Sequence, residues 1–423
     1  MKNTADNTEK QRLISPVLAW FMLAMVLANT AGAMQGMLLP VYVSKLGATV
    51  TQVGLVFTLA NIVPLVLQVF GGWFSDNYGR LRAVAIGSIG GVVGHLILPF
   101  ATSWVWVLVG LSIGSIARAM VGPSFSAFIA EQSSEENRGR VFGMTDTMFM
   151  VIQVIGPPLG GVLVSRFDFK LMLLVSALLY TAAAILRVRM ARTDGRKEKE
   201  ESQPLSFASL KSSVVTMFGM LVAGGLITWI FITDGVRDIA FRMSDTLFPL
   251  YMEELNGITP AQIGWLGSVF GITMMVVTMP SGWLSDKLGE RVPIIAGFII
   301  DGIAIFLFPR LNGSFWSFAF LFMLFGIGVG LQSPAYNSLV SKAVPENMRG
   351  MAFGLFWTSL GIISLPAPYI GAALWERFTP SVPFTITAVL AIVSALPVLM
   401  KFKLPEKEAP EEVSVESEAV PAG

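Results

Sequence analysis

Of the 423 residues, 54% are hydrophobic and only 13% charged, against about 25% charged in soluble chains, which excludes a water-soluble globule. A net charge of +1 offers nucleic acid no basic surface. The absence of cysteine excludes disulfides, thiolate metal sites and cysteine nucleophiles. Apolar runs of about twenty residues, each long enough to cross a bilayer as a helix, recur throughout.

Residues 1–12 are polar, lack a signal-peptide pattern and read as a cytoplasmic N-terminus. Six spans follow, at 15–41, 52–75, 83–101, 104–131, 141–165 and 168–190, forming a bundle over 13–190. A charged linker occupies 191–210. The second bundle, 211–402, holds spans at 226–251, 261–285, 292–309, 314–341, 351–375 and 381–402. The Glu-rich tail 403–423, with Pro405 and Pro410, is expected to be disordered. The fold class is therefore an all-α integral membrane protein of twelve transmembrane helices in two pseudo-symmetric six-helix bundles. Alternate loops carry most Lys and Arg, including Arg80, Arg82, Arg138, Arg140, Lys287, Arg291, Lys342 and Arg349. By the positive-inside rule these loops and both termini face the cytoplasm.

Between the second and third spans stands Gly72-Trp-Phe-Ser-Asp76-Asn-Tyr-Gly79-Arg80-Leu-Arg82. A weaker copy, Gly282-Trp-Leu-Ser-Asp286-Lys-Leu-Gly289-Glu-Arg291, lies 210 residues downstream. Glycine permits the tight reversal that each copy needs. Both copies resemble the loop between helices 2 and 3 of major facilitator superfamily transporters, of the form G-x-x-x-D-x-x-G-R. The resemblance implies that the loop helps to lock one conformation. The repeat continues: Pro123 precedes Arg138 by 15 residues, as Pro334 precedes Arg349, and Gly156-Pro157-Pro158-Leu-Gly160-Gly161 matches Ala367-Pro368-Tyr-Ile-Gly371-Ala372. Parallel six-helix repeats of this kind place a substrate site near the midplane between the halves.

Other motifs carry further expectations. In the fifth span, Gly143 and then Gly156, Pro157, Gly160 and Gly161 resemble a pattern of export-type antiporters, with Ile152 where an intermediate glycine would stand. Physically such residues allow bending and close helix contact. In the fourth span, Arg118 with Gly122 resembles the family signature R-x-x-Q-G, Val121 replacing the glutamine. A mid-helix arginine costs roughly 2.5–3.5 kcal/mol on insertion scales unless it meets water or a partner, so Arg118 is expected to face the cavity. Glu131 resembles the acid that meets the loop arginines; a solvated interfacial carboxylate is the alternative.

The seventh span carries Asp234, Arg237, Asp238, Arg242 and Asp245 on one helical face, with Asp234/Arg237, Asp238/Arg242 and Arg242/Asp245 at pairing distance. The repeat, matching Leu39-Pro40-x-Tyr42 to Phe248-Pro249-x-Tyr251, puts this face inside the membrane. Alternatively Val214 to Thr233 is the span and the charges lie outside. With the face inside, Asp238 lies about 18 Å from either end at about 1.5 Å per residue and is the expected coupling acid. Asp146 is the next candidate, and Asp301, on a peripheral helix, ranks below it. Asn29, Gln35, Asn61, Gln153, Gln332, Tyr336 and Asn337 are candidate lining residues. His95, the lone histidine, reads as a packed or pore-facing side chain.

The combined reading is a secondary active transporter of the plasma membrane working by alternating access. It is expected to act as a monomer on a small-molecule substrate, with proton-coupled efflux of a small amphipathic compound. The alternatives are a symporter or exchanger of a small charged solute, or a transport-inactive receptor or scaffold. No P-loop is present in the sequence. No enzyme activity, cofactor, metal or nucleic-acid partner is expected.

Overall fold

A computed structural model describes residues 15–193, 226–311, 313–343 and 361–402. The first half contains α1 (Pro16–Gly36), α2 (Leu39–Lys45), α3 (Val50–Tyr78), α4 (Arg80–Ile97), α5 (Trp104–Gln132), α6 (Arg138–Arg166) and α7 (Phe169–Thr193). The second contains α8 (Leu226–Asp245), α9 (Pro260–Leu288), α10 (Arg291–Leu307), α11 (Phe315–Ala343), α12 (Ala367–Arg377), α13 (Val382–Val393) and α14 (Ala395–Lys401). No strand occurs among the described residues. The N-terminus 1–12, most of the linker 191–210, the segment holding Arg349 and Gly350, and the tail 403–423 lie outside them.

Among the described residues, eight segments are long and apolar enough to cross a bilayer, against the twelve expected. Expected span 226–251 falls short because α8 carries five charges. Span 292–309 falls on the 17-residue α10, and α3 contributes an apolar stretch over Val50–Leu65. Span 351–375 lies partly outside the described residues.

The internal repeat is legible down to single bonds. Thr49 and Thr259, 210 residues apart, each form a capping box with the glutamine three residues on, Gln52 and Gln262. The first helix of each half breaks ahead of a proline: α1 gives way to α2 at Pro40, and α8 to the short helix Leu247–Leu250 at Pro249. A π-helical turn, Tyr251–Leu255, follows. Beyond the breaks, the Tyr42 hydroxyl donates to the Leu98 carbonyl at 2.9 Å and that of Tyr251 to the Pro309 carbonyl at 3.2 Å. Gly79 and Gly289 take φ of 98° and 79°, left-handed values at which a side chain would be strained.

The halves meet through two equivalent contacts. A Cβ on Gly54 would lie 2.5 Å from the Pro368 carbonyl oxygen, and one on Gly264 would lie 2.5 Å from that of Pro157. Glycine lets these backbones touch. At the adjacent helix starts, each half caps the other. Glu376 accepts from the Thr51 amide at 3.0 Å and hydroxyl at 2.6 Å, while the Ser165 hydroxyl oxygen accepts from the Ala261 amide at 2.9 Å. Lys45 pairs with Glu253 at 2.8 Å, and Ser44 donates to Glu254. Partial burial pushes the Glu376 carboxyl up, but the Thr51 bonds outweigh it and hold the group below the usual carboxylate range.

Among the described residues, the hydrogen bonds joining the halves run from this Thr51/Ala261 end to mid-helix, where Ser268 donates to the Val154 carbonyl at 2.5 Å. Gly54→Val should prevent closure there, lengthening the distance between spin labels at F167C and L255C, one on each half. Glu376→Ala should act in the same direction but less. Because the Glu376 carboxyl is held low, its contribution is present above the ordinary carboxylate pKa and is lost only as pH falls through the lowered value. The inter-label distance in the wild type should therefore stay short at neutral pH.

Candidate functional site

A cavity of about 700 Å³ opens inside the first half, and every residue lining it belongs to that half. Arg118 of α5 and Asp146 of α6 both reach it and are exposed there. Arg118 makes no hydrogen bond or ion pair among the described residues, so its charge is available to a ligand. Asn29, Gln35 and Asn61 also line the cavity. Asn29 and Asn61 donate to their own helices, to the Met25 and Phe57 carbonyls, both at 2.9 Å. The Gln35 carbonyl oxygen is buried without a partner among the described residues. Phe57, Phe125, Phe142 and Phe149 supply apolar wall.

One wall residue went unrecognised in the sequence. Arg187 of α7 is buried at 4% exposure and donates to the Ser88 hydroxyl at 3.0 Å. It lies three residues from the end of the 168–190 run, and no motif or charge pattern in the sequence marks it. The signal was the helical stripe Ser176, Tyr180, Ala183, Arg187, all buried, which turns Arg187 inward. His95 stacks on Tyr180 at 4.2 Å and bonds the Gly91 carbonyl through Nδ1 at 2.8 Å.

In the second half the charged face of α8 divides. Asp234, 3% exposed, takes Arg237 at 2.8 Å. The guanidinium passes on to the Gln332 carbonyl oxygen at 2.8 Å, and the Gln332 amide donates to Asp301 at 2.6 Å. Arg237 also lies over the rings of Phe298 and Tyr336, at 5.7 and 5.9 Å. Asp238 and Arg242 pair separately at 2.8 Å. Asp245 is exposed and does not form the expected pair with Arg242, whose Nε is directed at Asp238 one turn earlier. Gln332 and Tyr336, expected to line a cavity, are instead buried between α8, α10 and α11, because Arg237 and Asp301 draw Gln332 inward. Asp301, ranked low from sequence, ends this chain. Asn337 and Gln153 are exposed.

The glycines of the fifth span serve contact. A side chain on Gly156 or Gly160 would strike Ala33 or the Met34 carbonyl of α1, and one on Gly161 the Pro260 carbonyl of α9. Pro157 meets Gly264, whereas Gly143 faces open space. The helix α6 runs unbroken.

At the far end of each bundle stands an ion pair. Arg80 bonds Glu131 at 3.1 Å and Ser75 at 3.2 Å. In the repeat, Glu290 stands at the Arg80 position and Lys342 at that of Glu131, and they pair with Ser338 as a second donor at 2.9 Å. The polarity is inverted but the bond is kept. Arg291 donates instead to the Phe402 carbonyl, and Asp286 is exposed. The surroundings of Gly72 and the side chain of Asp76 lie outside what is described, and Gly282 has open space around it.

Burial pushes the Glu290 carboxyl up, but the Lys342 ammonium and Ser338 hydroxyl outweigh burial and hold it below the usual carboxylate range. The pair thus stabilises the fold above the ordinary carboxylate pKa and is lost as pH falls through the lowered value. Glu290→Lys should destabilise by about 1–2 kcal/mol, a charged hydrogen bond discounted for the half-exposed lysine. Glu290→Lys with Lys342→Glu should recover most of the loss, read as the thermal midpoint in detergent.

A family model described as Major Facilitator Superfamily matches residues 21–236 and 230–423. An uncharacterised MFS-type transporter of Methanocaldococcus jannaschii is 25% identical, covering 93% of this chain and 97% of that protein. A multidrug resistance protein of Citrobacter koseri is 24% identical over 90% and 92% of the two chains. A Na(+), Li(+), K(+)/H(+) antiporter of Planococcus maritimus is 23% identical over 84% and 88%. Among solved structures, a peptide transporter POT in complex with sulfate superposes with a TM-score of 0.74 at 16% identity. That match covers 90% of this chain and 93% of the other, a likeness of fold.

Proposed function

The chain belongs to the major facilitator superfamily and is a transporter by that membership, and we propose that it is a proton-coupled exporter of small amphipathic compounds. It works as a monomer in the plasma membrane, its two six-helix bundles rocking about a central site. The observation that carries this reading is Arg118, an exposed cation with no hydrogen-bond or ion-pair partner among the described residues, in a cavity of about 700 Å³ walled in part by aromatic side chains. Such a wall suits a greasy body and the guanidinium an anionic group. The similarity to a multidrug resistance protein and to a cation/proton antiporter supports export and coupling.

The Lys and Arg distribution puts the Gly79/Gly289 end in the cytoplasm. On that orientation the Thr51/Ala261 contacts close the outer side, and this form receives its substrate from the cytoplasm. Arg118 also favours a second reading, an exchanger of small charged solutes, in which the charge rather than the apolar body is recognised.

Transport into proteoliposomes under an imposed pH gradient decides between them. Export predicts that anionic amphipathic compounds move against their gradient and that a protonophore abolishes the movement. Arg118→Ala should lower the rate about ten- to a hundredfold, as expected for a lost charged hydrogen bond of about 1.5–3 kcal/mol, with Arg118→Lys between. Wild-type rates in Arg118→Ala would remove Arg118 from the site. Preference for small hydrophilic anions would favour the exchanger.

A further inference from the structure

The buried cluster between α8, α10 and α11 holds two carboxylates, Asp234 and Asp301, and one guanidinium, Arg237. Its formal charge with all three ionised is −1. The neighbouring pair Asp238–Arg242 is neutral in itself and does not correct the imbalance. An uncompensated charge inside a membrane protein is expensive, and one proton removes it.

The bonding indicates which carboxylate takes that proton. Asp234 faces Arg237 directly, at 2.8 Å. Asp301 receives only the uncharged amide of Gln332, on Oδ2, and its Oδ1 is buried with no partner among the described residues. That oxygen lies against the backbone of Gly328, where a Cβ would overlap it. The charged and polar groups that act on it are Arg237 and Gln332; Asp238 of α8 and Tyr336 of α11, whose hydroxyl is also buried without a partner among the described residues, stand around Arg237. On its remaining side α13 meets α10 at Gly302 through Ala388 and Ile392.

We propose that the transported proton is bound by Asp301, with Gln332 and Arg237 relaying its presence to Asp234 and so to α8. The proton comes from water on one side, neutralises the carboxylate, and leaves to the other side as the carboxylate re-forms. No other bond is made or broken. With Asp301 ionised, Arg237 and Gln332 are drawn towards α10; with it protonated, Arg237 is left to Asp234 alone. Gln332 and Arg237 are positioning residues, and α8 is the helix that ends at Asp245, just ahead of Pro249. The proposal rests on proton coupling but not on the identity of the substrate.

Proton release from purified protein during an acid-to-alkaline titration needs no substrate and therefore tests the site apart from the export reading. Wild type should release one proton more than Asp301→Asn, with loss of the infrared carboxyl band of a protonated aspartic acid. Gln332→Met, which leaves the carboxyl in place, should shift the midpoint of that band. In proteoliposomes Asp301→Asn should lose gradient-driven accumulation and retain gradient-free exchange. If Asp301→Asn does not fold, Asp301→Glu should keep the titrating proton and move the band. An unchanged proton count and band in Asp301→Asn would overturn the proposal, as would loss of both in Asp238→Asn instead. If no substrate is found, the titration still decides.

Discussion

The arrangement depends on two places where backbone meets backbone across the halves: Gly54 on Pro368 and Gly264 on Pro157. Without hydrophobic drive between helices in lipid, association rests on van der Waals contact and interhelical hydrogen bonds, and both require close approach. Glycine supplies the approach. The helix starts alongside then find their acceptors on the opposite half, Glu376 for one and Ser165 for the other. A helix start without such a partner leaves amide donors unsatisfied. Closure at this end and satisfaction of the helix starts are therefore one event.

Much of this was legible in the sequence because the repeat preserves small residues and prolines, whose roles are steric. The offset of about 210 residues carried Pro157 and Pro368, the tyrosines after the helix breaks and the positive-φ glycines into correspondence, but not Gly54 and Gly264, which meet those prolines. Side-chain partnerships were less legible, because bonding tolerates exchange. Glu290 looked like a defect in the second loop motif, yet Lys342 stands where Glu131 stands in the first half, so the pair survives with its charges swapped. Arg187 was hidden by its place near the end of an apolar run. Asp301 was ranked low because its helix is peripheral, although one intervening glutamine joins it to Arg237. A residue's distance from the bundle axis is a poor guide to its electrical neighbours when amide side chains bridge them.

The two halves divide the polar work. The first carries a cation, Arg118, exposed to a cavity, together with aromatic surface and the buried Arg187. The second carries a compact network, Asp234–Arg237–Gln332–Asp301, in which the Asp301 Oδ1 is the carboxylate oxygen left buried without a partner among the described residues. An open site suits an exchangeable ligand, and a closed network with one unpaired oxygen suits a particle as small as a proton. Any communication between them must pass through the relative motion of the halves, since the cavity is lined by the first half alone.

The two reciprocal caps are alike in position but not in strength. Glu376 offers a carboxylate that binds both the amide and the hydroxyl of Thr51, while Ser165 offers a single hydroxyl oxygen to Ala261. Charged acceptors make the stronger bonds. A seam fastened unequally along its length does not part everywhere at once. Of the two caps, the weaker, between α6 and α9, would part first, leaving Ser268 and Val154 still bonded along those helices, while the stronger, between α3 and α12, would serve as the pivot. The first crevice to admit water from that side would then lie beside α6, the helix that carries Asp146.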